Sequence, residues 1–325
     1  MRPFTYSRTQ DTDETLELIN ANTRPYAGGT DLLTRMKADI DAPEALVDIK
    51  RTNLPKGIRE TENGISIGAL TTLTEIEKSD LLKEKCTLLS EAASLAATPQ
   101  LRNRATLGGN LLQRPRCWYY RSSHIDCWLK GGESCPAKEG RNEHHALFGD
   151  SPCIAVHPSD LASCLTALGA SVKLRGPGDE RELTLTDFYK EPEAGRRYET
   201  VIEDDELITA INVSALPEGA KSTYLKAMDR KVWAFALVGV AAVLHVENST
   251  IQDARLALSG VAPIPWRLDA VENDLKGQAP SQTLFAEVAE RALEGAKALE
   301  HNAYKIPLAK RLIKRALSNL SGLES

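Results

Sequence analysis

The stretch Ala27-Gly28-Gly29-Thr30-Asp31, the first glycine loop, connects a predicted strand end at 25–27 to an amphipathic segment at 32–40, and another strand is predicted at 45–49. This order predicts a small β-turn-α-β unit. Glycine lets the backbone approach a ligand closely and adopt dihedral angles that other residues avoid, so this turn is suited to presenting amides to a phosphate. Asp31 stands where the helix N-cap is expected.

A second pair of glycines occurs in Thr106-Leu107-Gly108-Gly109-Asn110, the second glycine loop. Taken alone, each pair is more often a plain turn than a ligand site. The three spaced glycines of dinucleotide-binding folds and the lysine of P-loops are both absent from the sequence. Two glycine pairs, each followed by polar residues that can bond a ribityl chain or a phosphate, make a nucleotide site of another type as typical of this pattern as two plain turns.

Four of the six cysteines are concentrated between the second glycine loop and the stretch His157-Pro158-Ser159-Asp160. They are Cys117, Cys127, Cys135 and Cys153. Four thiolates can hold an iron–sulfur cubane or a zinc ion, and nearby histidines could complete a zinc site. Their spacing matches neither a ferredoxin run nor paired C-x-x-C motifs, so a zinc-stapled loop and free thiols also stay open. Cys86 and Cys164 lie in apolar helical patterns and are predicted to be small buried hydrophobes.

Composition excludes several classes of protein. The net charge of −5 and the lack of a clustered basic face argue against nucleic-acid binding. A modest basic group at 305–315 is expected on a helix surface. No apolar run approaches the roughly 20 residues that span a bilayer, and the N-terminal residues do not resemble a secretory signal. No nucleophile–base constellation is recognisable, so no catalytic residue is predicted.

The remainder of the chain predicts a second domain beyond the turn Pro217-Glu218-Gly219. Strands are expected near 223–228, 236–246 and 251–259, followed by helices near 265–275, 283–299 and 306–320. Strands followed by helices indicate an α+β fold in which helices pack on one face of an antiparallel sheet.

Together these motifs resemble the FAD-binding medium subunits of the molybdenum hydroxylases, the xanthine dehydrogenase family. The resemblance covers nearly the whole chain and rests on five ordered motifs: 27–32, 102–110, Ser159-Asp160-Leu161, Lys226 with Arg230 ahead of 235–238, and 260–263. The long cysteine-bearing interval is similar to the subgroup whose flavin subunit carries an additional [4Fe-4S] cluster, and especially to bacterial aldehyde oxidoreductases of the periplasmic type.

The resemblance implies a two-part FAD-binding domain of the p-cresol methylhydroxylase type at 1–216, divided into 1–57 and 58–216. It also implies a cysteine-rich [4Fe-4S] insert at about 113–155 and an α+β C-terminal domain at 220–325. The implied FAD contacts are Tyr26, Ala27, Gly28, Gly29, Thr30, Asp31, Leu32, Arg102, Ala105, Thr106, Gly109, Asn110, Gln113, Asp160, Leu207 and Lys226. The implied cluster ligands are the four cysteines at 117, 127, 135 and 153.

The function implied by the resemblance is electron transfer within a heterotrimeric aldehyde oxidoreductase. Electrons from a large molybdopterin-binding subunit would pass through a small [2Fe-2S] subunit to FAD and then to an external acceptor. Ala234 occupies a stretch in which xanthine dehydrogenase has an acidic residue, which favours oxygen, a quinone or a small electron carrier over NAD.

Three alternatives stay open: the flavin subunit of 4-hydroxybenzoyl-CoA reductase or another molybdenum hydroxylase, a stand-alone FAD oxidase of the same fold, and a zinc-stapled interaction module. The chain's own sequence predicts a cytoplasmic location, and co-export with a signal-bearing partner leaves the periplasm open.

Overall fold

Three sheets organise the computed structural model, which describes residues 1–323. The strands are β1 (Thr5–Arg8), β2 (Thr23–Tyr26), β3 (Ala45–Asp48), β4 (Ile58–Thr61), β5 (Gly64–Gly68), β6 (Ser171–Arg175), β7 (Glu180–Thr184), β8 (Leu207–Ser214), β9 (Lys221–Ala227), β10 (Val238–Glu247), β11 (Thr250–Ser259) and β12 (Trp266–Arg267). The sheet orders are β1-β3-β2, β4-β5-β8-β6-β7 and β12-β11-β10-β9.

Helices flank these sheets. They are α1 (Thr12–Leu18), α2 (Leu32–Lys37), α3 (Leu73–Lys78), α4 (Asp80–Lys85), α5 (Thr87–Leu95), α6 (Pro99–Arg102), α7 (Leu107–Leu111), α8 (Trp118–Arg121), α9 (Asp160–Ala167), α10 (Leu185–Phe188), α11 (Asp269–Leu275), α12 (Gln282–Arg291) and α13 (Lys305–Ser321). The described residues contain no helix with the length and apolarity that a membrane crossing requires.

The first sheet is parallel, and β3 lies between β1 and β2. The first glycine loop leaves the end of β2 and leads directly into α2, so the predicted β-turn-α-β unit is confirmed. The second sheet is antiparallel, and its central strand β8 pairs with both β5 and β6. Because β5 and β6 are separated by about a hundred residues, the whole cysteine segment (113–155) is inserted between two parts of one sheet.

The third sheet is antiparallel, as predicted, and explains the long apolar run of β10. Val240, Ala242 and Leu244 pack with the C-terminal helices in one core, whereas Ala241 and Val243 belong to the core that contains α5 and α9. The expectation of helices on a single face is therefore incomplete. This sheet is covered on both faces, and such strands are apolar throughout.

The α+β fold class is confirmed, although several helix boundaries differ from those predicted. Helical periodicity in the sequence predicts one helix across 73–82, but the structure divides it at Ser79, which caps α4 with its hydroxyl. The helix expected from 265 begins at Asp269, because Trp266 and Arg267 pair with β11 as a short edge strand. The helix expected across 283–299 ends at Arg291. Edge pairing and capping outweighed the helical periodicity at these ends.

Lys305 corrects the expectation of an exposed basic group, because its side chain is fully buried at the start of α13. Its ammonium donates to the carbonyl oxygens of His145 at 2.9 Å and Gly260 at 2.8 Å. Burial lowers the pKa of Lys305 to about 7. Together with Asn302, which donates to the carbonyls of His145 and Ala146, Lys305 ties the cysteine segment to the C-terminal helices.

Replacing Lys305 with methionine is expected to change how stability depends on pH. An unfolded lysine keeps its proton up to about pH 10.4, whereas the folded side chain loses it near 7, so the unfolded state binds more protons between these values. Wild-type stability should therefore rise with pH from 7 to 10 relative to K305M, by on the order of a few kcal/mol. Urea unfolding of both proteins at several pH values measures this, and parallel pH profiles would contradict it.

Candidate functional site

One cavity, called the main cavity because most of the predicted FAD contacts line it, lies where the first glycine loop meets the second glycine loop and the beginning of β8. Ten of the predicted FAD contacts line it: Ala27, Gly28, Gly29, Thr30, Asp31, Leu32, Thr106, Gly109, Gln113 and Leu207. Residues from three distant parts of the chain therefore converge on one cavity, as the sequence interpretation requires.

The two glycine loops approach so closely that a side chain at Gly28 is excluded. A Cβ atom built on Gly28 would lie 2.0 Å from the carbonyl oxygen of Arg104. Gly29 has a φ of +68°, and a Cβ there would lie 2.3 Å from the ring of Tyr26. Both positions therefore require glycine, one for close contact and the other also for its left-handed backbone.

The first glycine loop has free hydrogen-bond donors. Within residues 1–323, the backbone N–H groups of Gly28, Gly29 and Thr30 have no protein acceptor. Consecutive amides around a left-handed residue form a concavity that binds anions. These amides line the cavity, so the loop fits a diphosphate.

The second glycine loop contributes shape rather than free amides. The N–H of Gly108 donates to Ala69, and that of Gly109 donates to the Thr106 hydroxyl at 3.3 Å. A Cβ at Gly109 would meet only that hydroxyl, at 3.2 Å, so this glycine leaves the cavity open. The Asn110 side chain accepts from the Ser159 hydroxyl at 2.6 Å and so holds the start of α9 against the loop.

Asp31 occupies the N-cap position of α2, as predicted, but its side chain makes no capping hydrogen bond. Its carboxylate is instead surrounded by guanidinium groups: Arg121 lies at 2.8 Å, Arg35 at 3.1 Å and Arg116 also in direct contact. The backbone N–H of Arg114 donates to it at 3.0 Å. Burial alone would raise the pKa of Asp31, but the charges of these arginines hold it well below its usual range.

A buried ion pair borders the same cavity and was not predicted. Nη1 of Arg114 lies 3.3 Å from Oε2 of Glu199, and both side chains are less than a tenth exposed. Burial raises the pKa of Glu199 against the opposing effect of Arg114. The guanidinium also lies 4.3 Å from the centre of the Tyr198 ring. In the sequence, the contacts of Arg114 with Glu199 and Tyr198 are signalled locally only by the presence of Arg114 and Arg116 just before Cys117.

Asp160 and Lys226 lie together beside a second, smaller cavity rather than in the lining of the main one. The Lys226 ammonium is 2.7 Å from one carboxylate oxygen of Asp160, and the Tyr224 hydroxyl donates to the other at 2.5 Å. His157 lines both cavities and therefore separates them. Burial lowers the pKa of His157 to about 3, so the ring is neutral.

Four other predicted contacts lie outside the lining of the main cavity, namely Asn110 of the second glycine loop, Arg102, Ala105 and Tyr26. Arg102 bonds Glu77 and the carbonyl of Ala96, which is a structural role. Ala105 lies behind Gly28, where its Cα would be 3.1 Å from an added Cβ. Tyr26 packs beside Gly29, and the Lys50 ammonium lies 3.9 Å from the centre of the Tyr26 ring.

The four cysteines of the cysteine segment fold into one neighbourhood. Cys127 and Cys153 are buried in a small cluster with Tyr120 and Trp128, and Cys117 packs against it. Burial raises the pKa of Cys117, Cys127 and Cys153, and the nearby Cys135 thiol adds to that rise. Burial raises the pKa of Cys117 to about 11. In the chain as described, all four are free cysteines.

The part of the chain that the structure describes contains no group of three or more His, Cys, Asp or Glu side chains that could hold a metal ion. The four thiols are near one another, but in the described residues they are not arranged as a metal site. The [4Fe-4S] cluster therefore stays a prediction. Cys86 and Cys164 are buried in the apolar core, as expected.

Comparison with known proteins identifies the family. Residues 2–215 match the FAD-binding domain of molybdopterin dehydrogenases, and residues 223–320 match the C-terminal domain of the CO dehydrogenase flavoprotein. The chain belongs to the FAD-binding subunits of the molybdenum hydroxylases. It is accordingly an oxidoreductase subunit, and the residues of the main cavity fit the FAD that this family binds.

Individual relatives extend over the whole chain. The aldehyde oxidoreductase FAD-binding subunit PaoB of Escherichia coli is 38% identical, with 98% of each chain covered. The carbon monoxide dehydrogenase medium chain of Hydrogenophaga pseudoflava is 28% identical, with 97% of this chain and 96% of that chain covered. A solved structure of carbon monoxide dehydrogenase from the same organism superposes with a TM-score of 0.78 at 27% identity, covering 99% of each chain.

Proposed function

We propose that this molybdenum hydroxylase subunit carries electrons in an aldehyde-oxidising complex. Its partners would be a large molybdopterin-binding subunit and a small [2Fe-2S] subunit, and an external acceptor would take the electrons. The observation that carries the proposal is the first glycine loop, whose free amides line a cavity shared with Leu207. The similarity to PaoB, an aldehyde oxidoreductase subunit, supports the substrate class.

FAD, when bound, supplies the redox chemistry, and the protein binds, orients and shields it. The amides of Gly28, Gly29 and Thr30 would hold the pyrophosphate, and Leu207 would provide an apolar contact for the ring system. Beside the second cavity, the positive charge of Lys226 neutralises the negative charge of Asp160. Ala234 lines that cavity without an ionisable group, which supports an acceptor other than NAD.

Purification with the partner chains and anaerobic addition of an aldehyde tests this function. Flavin absorbance should bleach in the complex and remain unchanged in the isolated FAD-loaded chain, because substrate oxidation belongs to a different subunit. Bleaching of the isolated chain by aldehyde would instead indicate a stand-alone oxidase. A complex that oxidises aldehyde while its flavin stays oxidised would overturn the proposed electron path.

We also propose that Cys117, Cys127, Cys135 and Cys153 hold a [4Fe-4S] cluster. Three thiols in or against one small cluster that also contains Tyr120 and Trp128, with the Cys135 thiol nearby, are a donor set of the type that such clusters use. The buried thiols must lose their protons when they bind metal, and the bound iron would offset that cost.

Changing Cys135 to serine is expected to remove most of the iron while leaving flavin bound at saturating FAD. Cys135 lies near the other three thiols, so its loss would remove one of the four proposed ligands, whereas it lies outside the main cavity. Iron and flavin counted per chain measure the result. Cys86→Ala is the matched control, because Cys86 is buried in another core and should not affect iron content. Equal iron in both variants would reject this ligand set.

A further inference from the structure

Asp31 connects two parts of the molecule that are far apart in sequence. Its loop lines the main cavity, whereas Arg116 and Arg121 belong to the cysteine segment and lie on either side of Cys117. Arg121 also donates to the carbonyls of Pro115 at 2.7 Å and Arg114 at 2.8 Å. The cysteine segment is thus folded around the carboxylate of the first glycine loop.

These contacts are protected from solvent. The side chain of Asp31 is 11% exposed, and those of Arg121 and Arg116 are 18% and 28% exposed. Hydrogen bonds between charged partners in such surroundings are stronger than neutral ones, and an acid left there without partners is costly. The position of Asp31 therefore depends on the two arginines, and the two arginine side chains are held in place by Asp31.

Asp31 also determines the shape of the loop that presents the free amides. It follows Gly29, with its left-handed backbone, and Thr30 directly, and its carbonyl accepts the N–H of Arg35 in the first turn of α2. A shift of Asp31 would turn the amides of Gly28, Gly29 and Thr30 away from a common point. Anion binding by consecutive amides requires that they converge.

We propose that Asp31 is a positioning residue that couples FAD binding to the folding of the cysteine segment. An ordered segment holds the first glycine loop in its binding shape through Arg116 and Arg121, and bound FAD stabilises the segment by the same amount, since such coupling is reciprocal. The inference rests on FAD occupying the main cavity, as proposed above, and is independent of whether the cysteines hold a cluster.

The first test uses the full chain without any substitution. Hydrogen exchange is followed at residues 119–135, which lie outside the lining of the main cavity, with and without FAD. Exchange there should slow when FAD binds. Unchanged exchange at 119–135 with FAD bound would overturn the coupling, whereas a wild-type chain that binds no FAD would reject the proposed function itself.

The second test is a double-mutant cycle on FAD affinity. Asp31→Asn and Arg121→Gln should each weaken FAD binding by roughly 5- to 150-fold, the usual range of such couplings, and the double variant should be little worse than either. FAD should no longer slow exchange at 119–135 in these variants. Arg141→Gln is the matched control, because that arginine lies in the same segment but is 79% exposed. Strictly additive losses, or equal weakening by R141Q, would overturn the proposal.

Discussion

Replacing Gly28 with alanine is expected to give a chain that folds but retains little FAD. The added Cβ would lie 2.0 Å from the Arg104 carbonyl oxygen, and neither backbone can move without separating the two glycine loops. Such overpacking costs about 1–3 kcal/mol. If that strain is relieved by displacing the loop amides, FAD affinity should fall by roughly 5- to 150-fold.

Gly178→Ala provides the control for this substitution, because an added Cβ there meets no atom within 4 Å and its φ is not positive. FAD titration of the apo-chain measures affinity, and thermal unfolding without FAD shows whether the fold survives. Full affinity in G28A would show that the close approach of the loops does not determine the binding shape.

Replacing Lys226 with methionine is expected to destabilise the chain by about 3–5 kcal/mol, since a buried carboxylate is then left without its cation. Lys226 and Asp160 are 1% and 5% exposed at a separation of 2.7 Å, so water cannot take the place of the ammonium. Urea unfolding of the FAD-free proteins measures the loss.

Two further variants make the result interpretable. Lys83→Met removes an ion pair whose side chains are 51% and 98% exposed, and should cost no more than about 1 kcal/mol. The double variant with Asp160→Asn and Lys226→Met should recover part of the stability, because no unpaired charge remains. A loss in K226M as small as that in K83M would contradict the argument.

Local patterns in the sequence were sufficient to predict the β-turn-α-β unit around the first glycine loop and the long strands of the third sheet, whereas the convergence of distant motifs on one site was implied by the family resemblance. Gly28 and Gly29 could be recognised because the backbone requirement they satisfy is local. The contact of Gly28 with Arg104 could not be recognised, because it depends on how two loops about 75 residues apart pack together.

Charged side chains were predicted less well. Asp31 does stand at the N-cap position of α2, but its buried carboxylate has arginine partners from a remote segment that were not predicted. Lys305 was expected on the surface and is buried with remote carbonyl partners. A periodic pattern reports which face of a helix is apolar, but it does not identify the distant carbonyl or guanidinium that compensates a buried charge. The arginines of the cysteine segment were missed for the same reason.

The order of strands in the second sheet has a consequence for biosynthesis. Its central strand β8 is made last, after the cysteine segment, yet β5 pairs with it directly. Until residue 214 leaves the ribosome, β5 lacks this neighbour and Leu207 is missing from the cavity wall. Cofactor loading should therefore begin only after residue 214 has emerged, and a truncation that ends before β8 should leave an exposed sheet edge open to aggregation.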